Sequence, residues 1–189
     1  MQRVVSGCLA AFLAVVGLSG AMPARAALQD ENLLVSMPAG FKVGSSTRQG
    51  NMDMQEWVPV GETVDNWSTM ITVQIFHHLT AATPQAFVGR LAAGWRSACP
   101  DGAAIDVQEG VENGYGYSFW TLTCPLNPQT GKPENMWTKV MAGSDALYSV
   151  QYASRKPLAK AITAVAAKYL RQVQVCDTRR PDRPCPAGM

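Results

Sequence analysis

The sequence STMITVQIFH, residues 68–77, has the alternation of a β-strand that is covered on both faces. One face carries Ile71, Val73 and Ile75, and the other carries Met70, Thr72, Gln74 and Phe76. Branching at Cβ stiffens the side chain and favours extended backbone over helix. The stretch therefore predicts a strand inside a sheet.

A helix is predicted directly after this strand. The Thr83 hydroxyl is placed to cap it, and Pro84 suits the first helical position, where the missing N–H costs nothing. The helix carries an apolar stripe at spacings of four, namely Phe87, Leu91 and Trp95, and it ends before Cys99. Gly89 and Gly94 are poor helix formers, so their presence predicts close packing of the helix backbone.

Three hairpins surround this strand and helix. They pair Phe41–Thr47 with Met52–Val58, Ile105–Gln108 with Tyr115–Cys124, and Met136–Ala142 with Ala146–Ala153. Between the last two hairpins, Leu126–Asn135 has no periodicity and is rich in Pro, Gly and Asn, so it is predicted to be a long loop.

The domain is predicted to close with a helix over Pro157–Val173. Its apolar positions, Leu158, Ile162, Val165 and Tyr169, share one stripe, which is expected to face the core. Antiparallel strands with one inserted helix and one closing helix predict a single α+β domain. We expect an antiparallel sheet of about six strands with two packed helices.

The first 26 residues have the features of a cleavable secretory signal. Arg3 precedes an apolar run, and Ala24 and Ala26 supply the small residues that signal peptidase requires. Cys8 lies before most of the apolar run, which is the wrong order for a lipid-modified cysteine. The run is also short for a membrane-spanning helix, which needs about 20 apolar residues. We therefore expect residues 1–26 to be removed and no membrane span to remain after processing.

The charge composition of the mature chain limits the kinds of partner that it is expected to bind. Removal of the signal takes away two arginines and no acid, which leaves equal numbers of basic and acidic residues. Nucleic acid is therefore an unexpected partner, because phosphate binding needs a basic surplus. The export signal places the chain in the periplasm or outside the cell.

Four cysteines remain after processing, an even number in an oxidising compartment. Of the three possible pairings we favour the two that are local in sequence, Cys99 with Cys124 and Cys176 with Cys185. Each would contribute about 3 kcal/mol through loop closure. The chain then divides into a signal (1–26), a domain (27–175) and a proline-rich tail (176–189) held only by its disulfide.

The layout resembles the PsbP, Mog1 and DcrB-like group of small domains. The resemblance lies in the opening Ser36-Met37-Pro38-Ala39-Gly40-Phe41 and in the order of strands, helix, meander and closing helix, and it covers about Leu33–Val175. It implies an exported accessory or binding domain without catalysis, and the group has no shared active-site residues to carry over.

No complete catalytic or cofactor motif is present in the sequence. His77 and His78 are neighbours on a predicted strand, so their side chains point to opposite faces and no metal site is expected. The serines lack a G-x-S-x-G elbow, and the mature cysteines lack a C-x-x-C pair. We expect no catalytic residue, no metal and no cofactor.

The best candidate for ligand binding is the aromatic-rich connection after the first hairpin. Trp57, Glu62, Asn66 and Trp67 combine large amphipathic rings with hydrogen-bonding groups, and binding sites often lie on such loops. We expect a non-catalytic binding or accessory protein of the cell envelope, with an unidentified protein or small molecule as its partner. The alternatives are an envelope hydrolase that uses Glu62 or Asp65, and an inhibitor or immunity-type protein that acts through Leu126–Asn135.

Overall fold

The computed structural model describes residues 28–186, so the predicted signal, its cleavage site and Cys8 lie outside the described residues. In chain order the elements are β1 (Glu31–Leu34), β2 (Phe41–Gln49), β3 (Met52–Pro59), β4 (Thr69–His77), α1 (Pro84–Ala98), β5 (Ala103–Glu112), β6 (Tyr115–Asn127), β7 (Lys132–Ala142), β8 (Ala146–Ser154), α2 (Lys160–Arg171) and β9 (Gln174–Asp177).

The described residues form a seven-stranded antiparallel sheet in the order β2-β3-β4-β8-β7-β6-β5. A separate pair, β1 with β9, joins the two ends of the domain, with Leu33 opposite Val175. This confirms the α+β class with two packed helices. The seven strands of the sheet correspond to the predicted strand at residues 68–77 and the six strands of the three predicted hairpins, whereas the β1–β9 pair was not predicted.

The two helices cover opposite faces of the sheet. Strand β7 shows this by its alternation, because Met136 and Val140 pack with α1 whereas Trp137 and Met141 pack with α2. Helix α1 lies over β5, β6 and β7, and α2 lies over β7 and β8. The outer strands β2 and β3 therefore lie beyond both helices.

Local sequence signals fix several element ends. Thr83 Oγ1 accepts a hydrogen bond from the Ala86 N–H at 3.1 Å, a cap that contributes about 1 kcal/mol. Asn113 and Gly114 take positive φ values of 47° and 75°, as a two-residue hairpin turn between β5 and β6 requires. Both predictions are confirmed.

Both predicted disulfides are present, Cys99–Cys124 and Cys176–Cys185. The first ties the end of α1 to β6, and the second ties β9 to the C-terminal segment.

The prediction that only a disulfide holds the tail is wrong. Arg179 donates to both oxygens of Asp177 and to Asp145 Oδ2, and the Arg183 guanidinium lies 4.4 Å from the centroid of the Tyr115 ring. The tail lies across the domain because its arginines meet carboxylates and an aromatic ring there. Strand β9 also crosses the predicted boundary between residues 175 and 176.

Two further predictions about loops and helices are wrong. Residues 126–135 are not a long loop, because β6 continues to Asn127 and β7 starts at Lys132, which leaves a short turn between them. Gly89 and Gly94 are not tightly packed, since a Cβ added at either position would meet nothing within 4 Å.

The tryptophans divide between core and half-buried positions. Trp137 is fully buried. Trp95 and Trp120 pack at the α1 face and remain partly exposed, with Trp95 Nε1 donating to the Thr123 carbonyl at 3.0 Å. Trp95 belongs to the predicted apolar stripe of α1, and it packs against the core although its edge reaches the surface.

Candidate binding site

Three of the four predicted site residues line one cavity beside the connection from β3 to β4. Glu62, Asn66 and Trp67 line a volume of about 280 Å³ together with Ser68, Lys132 and Arg155. We call this volume the Trp67 pocket. The residues were predicted from one loop, whereas Lys132 and Arg155 come from β7 and from the end of β8.

Hydrogen bonds already occupy the polar groups of this pocket. The two Glu62 carboxylate oxygens accept from the Ser68 N–H at 2.7 Å and from the Ser68 hydroxyl at 2.8 Å. Trp67 is only 7% exposed, and the Arg155 guanidinium covers its ring at 4.1 Å from the centroid. Glu62 therefore closes the connection between two strands, and Trp67 is a core residue with a charged cover.

Trp57 does not join this pocket. It packs with the cluster under α2, whereas Trp67 packs with the cluster under α1 on the opposite face of the sheet. The two rings therefore cannot form a common stacking platform. Among the described residues, Trp57 Nε1 is a buried donor with no hydrogen-bond partner.

Of the two adjacent histidines, His77 contacts a carboxylate of β3. His77 Nε2 lies 2.8 Å from Asp53 Oδ2, and the same carboxylate accepts from the Arg48 guanidinium. Hydrogen bonds from Arg48 first, and from His77 second, hold the pKa of Asp53 well below its usual range. Within residues 28–186, no three His, Cys, Asp or Glu side chains are grouped to hold a metal ion.

A larger and more apolar depression lies beside α2. Its apolar walls and floor are Met37, Pro38, Phe41, Tyr152, Val165 and Tyr169, and its rim is formed by Ser36, Lys168 and Gln172. The volume is about 460 Å³, which falls in the range of small-molecule sites. We call this depression the α2 groove.

Helix α2 packs on the sheet through a different face from the one expected, and this orientation leaves the groove beside the helix. The buried residues of α2 are Ala166 and Leu170, whereas Val165 is 54% exposed and Leu158, just before the helix, is 47% exposed. Ala166 lets the helix approach the sheet closely, which turns half of the predicted apolar stripe away from the core. The prediction that the whole stripe faces the core is therefore wrong.

The segment before β2 forms the opposite wall of the groove. Met37 and Pro38 lie between β1 and β2, and the Tyr169 hydroxyl donates to the Met37 sulfur at 3.8 Å. Burial raises the pKa of Tyr169 to about 12, so its hydroxyl stays protonated at neutral pH. The Tyr169 hydroxyl is thus a neutral donor that borders the apolar side chains of the groove.

The groove is lined mainly by aromatic rings, a methionine and other apolar side chains. Aromatic rings and methionine are the residue types enriched where proteins bind partners. Sequence reasoning missed the groove, although the run from Ala146 to Cys176, with basic residues and no acid, was a signal that could have directed attention to α2.

Comparisons with solved structures were made for the whole chain. The solution structure of cyanobacterial PsbP (CyanoP) from Synechocystis sp. matches with a TM-score of 0.51 at 12% identity, over 84% of this chain and 99% of that one. Ran-binding protein Mog1p of Saccharomyces cerevisiae matches with a TM-score of 0.45 at 13% identity, over 80% and 98% of the two chains. LpqN of Mycobacterium tuberculosis, a protein involved in cell envelope biogenesis, matches with a TM-score of 0.39 at 10% identity, over 80% and 86%.

The match to CyanoP concerns the architecture of the chain. At 12% identity, the likeness to CyanoP shows a shared fold, and it confirms the predicted resemblance at that level. No protein-family model matches the chain, and no curated protein sequence matches it.

The length and hydropathy of α1 and α2 bear on whether a helix of the described part of the chain can cross a membrane. Neither of the helices found between residues 28 and 186 combines the length and the apolar character needed to cross a membrane.

Proposed function

We propose that this protein is an exported, non-catalytic binding or accessory protein of the cell envelope that holds its ligand or partner in the α2 groove. The observation that carries the proposal is the groove itself, an apolar volume of about 460 Å³ beside a helix whose apolar stripe is half uncovered. Exposed apolar surface of this kind marks interaction sites in soluble proteins.

The proposed location rests on two features. The N-terminal 26 residues have the pattern of a secretory signal, and the described chain contains two disulfides, which persist in oxidising compartments. Both support a periplasmic or secreted protein.

Co-purification from the native envelope tests the proposal. The tagged chain is isolated with whatever it retains, and mass spectrometry identifies both proteins and small molecules. Val165→Asp places a charge in the groove at an exposed helix position, where little stability is lost. We expect this variant to retain about a tenth or less of the species held by the wild type.

A matched control makes this result specific. Val111→Asp makes the same substitution at a valine of β5 that is 73% exposed and lies outside the groove. We expect it to retain the species as the wild type does. Equal retention by Val165→Asp, Val111→Asp and the wild type would refute the proposal.

The Trp67 pocket is the second candidate site for the same function. It is favoured because Glu62, Asn66 and Trp67 line one cavity. Asn66 is exposed there, so Asn66→Ala tests the pocket without disturbing the core.

The two alternative functions need a carboxylate or a loop that makes other contacts in this structure. A hydrolase using Glu62 needs a free carboxylate, yet both of its oxygens accept hydrogen bonds from Ser68. An inhibitor acting through residues 126–135 needs a projecting loop, yet most of that segment belongs to β6 and β7. Turnover of a co-purified saccharide or peptide would favour the hydrolase over the binding function.

A further inference from the structure

We propose that the α2 groove binds a single-chain amphiphile whose anionic headgroup lies beside Lys168. This inference rests on the proposed function, in which the groove is the binding site, and it adds the chemical class of the ligand.

The interior of the groove suits an acyl chain. Its floor and walls combine aromatic and aliphatic surfaces from Phe41, Tyr152 and Val165, and the charged residue that borders it is Lys168. Each methylene group that leaves water for such a surface raises affinity about fourfold. A chain of moderate length therefore gains enough from burial to bind as a monomer.

The rim of the groove supplies a positive charge without a partner. Lys168 is exposed, and among residues 28–186 no carboxylate lies within salt-bridge distance of its ammonium group. Helix α2 also carries Lys160 and Arg171 and no acidic residue. An anionic headgroup at this rim is attracted, and a cationic one is repelled.

The Tyr169 hydroxyl adds a hydrogen-bond donor inside the groove. Its partner among the described residues is the Met37 sulfur at 3.8 Å, and a thioether is a weak acceptor. A headgroup oxygen that enters the groove would be a stronger acceptor for the same hydroxyl. Lys168 and Tyr169 both line the groove, so the ammonium group and the hydroxyl can bind the same headgroup.

The shape of the site favours a single amphiphile over a bilayer surface. A helix that lies in a membrane presents a broad apolar face to the lipid. Helix α2 instead buries Ala166 and Leu170 against the sheet, and its apolar residues beside Met37 border a concavity. An acyl chain can fill that concavity, whereas a flat bilayer would leave it empty.

Titration of the disulfide-bonded mature chain with dodecanoate, below its critical micelle concentration, tests the proposal by calorimetry. Dodecan-1-ol and dodecyltrimethylammonium, which have the same chain length, separate the headgroup from the chain. We expect one dodecanoate per protein, weaker binding of the alcohol, and binding of the cation weaker by about tenfold or more.

Two pairs of variants locate the ligand. Val165→Asp should lower dodecanoate affinity about tenfold or more, while Val111→Asp, at an exposed valine of β5, leaves it unchanged. Lys168→Gln should lower dodecanoate affinity by about fivefold and leave the affinity for dodecan-1-ol unchanged, while Lys160→Gln, a control on the same helix, changes neither.

Three results would overturn the inference. These are no binding of dodecanoate, equal affinity for the anionic and cationic amphiphiles, and binding only to phosphatidylglycerol vesicles, which would indicate a membrane-docking surface. If dodecanoate fails to bind while Val165→Asp still releases the envelope species, this inference falls and the proposed function stands. If Val165→Asp releases nothing, both fall.

Discussion

The guanidinium of Arg155 lies 4.1 Å from the centroid of the Trp67 ring, and its Nη1 donates to the Asp65 carbonyl at 3.3 Å. Arg155 follows β8, whereas Trp67 precedes β4, and these two strands are neighbours in the sheet. The contact therefore fastens the connection between β3 and β4 over the sheet and covers the aromatic side chain that the sequence suggested for binding.

Trp67→Ala is predicted to lower the free energy of unfolding by about 3–5 kcal/mol, because it empties a buried aromatic site under α1. Chemical denaturation of the purified variant measures this. Asn66→Ala, at the exposed neighbour, should change stability by less than about 0.5 kcal/mol. If Trp67→Ala unfolds like the wild type, the ring is not part of the core.

Gly94→Ala and Gly89→Ala are each predicted to stabilise the protein by about 0.5–1 kcal/mol. Both positions lie within α1, where alanine is the better helix former, and an added Cβ has open space. Gly102→Ala is the opposing control, since its Cβ would lie 2.8 Å from the Thr123 carbonyl oxygen. The midpoint temperature of thermal unfolding should rise for Gly94→Ala and Gly89→Ala and fall for Gly102→Ala. Destabilisation by Gly94→Ala would restore the original idea of close helix packing.

The contact between Asp177 and Arg179 should make stability depend on pH. Hydrogen bonds from Arg179 hold the pKa of Asp177 below its usual value. As the pH falls, Asp177 is therefore protonated at a higher pH in the unfolded chain than in the folded protein. The stabilisation that the ionised Asp177 gives the folded protein is complete at neutral pH. It declines as the pH falls below about 5, through the ordinary carboxyl range toward the folded-state pKa.

Arg179→Gln isolates this contribution from those of other carboxylates. We expect the wild type to exceed the variant in urea-unfolding free energy at pH 7, and the two to converge as the pH approaches 3. A difference that stays constant across this range would show that Arg179 acts by packing and not through the Asp177 charge.

Processing is predicted to leave Ala27 as the first residue of a chain without free thiols. Ala24-Arg25-Ala26 is the best site after the apolar run, and all four remaining cysteines are paired. Intact-mass measurement of the exported protein, with and without thiol alkylation, checks both points. A chain that begins at Met1, carries lipid on Cys8 or reacts with the alkylating agent would contradict the prediction.

Elements whose signals are local were predicted from the sequence. Thr83-Pro84 marks a helix start and Asn113-Gly114 marks a hairpin turn, because the required backbone geometry is specified by the residues themselves. The disulfides were also predicted correctly, since each closes a short loop.

Features that depend on distant contacts were not predicted. Strands β1 and β9 have four residues each and pair across the whole domain, so neither stretch alone indicates a strand. The orientation of α2 depends on Ala166, a residue that a hydrophobic stripe does not single out. The α2 groove also requires the Met37 segment beside the helix, and no spacing in the sequence joins the two.

The sequence grouped three residues that line one cavity, and their role in ligand binding stays a prediction. Glu62, Asn66 and Trp67 do meet at one cavity, because they belong to one short connection. Trp57 was grouped with them by closeness in sequence, yet it lies on the other face of the sheet. Burial and hydrogen bonding of Trp67 and Glu62 become visible only when Arg155 and Ser68 are placed beside them.

The central claim is that the α2 groove, and not the Trp67 pocket, binds the ligand or partner. The most direct test compares Val165→Asp with Asn66→Ala by quantitative mass spectrometry of the species that each retains from the native envelope. Our account predicts that Val165→Asp retains about a tenth or less of the wild-type amount and that Asn66→Ala retains all of it. Full retention of the species by Val165→Asp, together with its loss from Asn66→Ala, would show that the binding site is the Trp67 pocket and not the α2 groove.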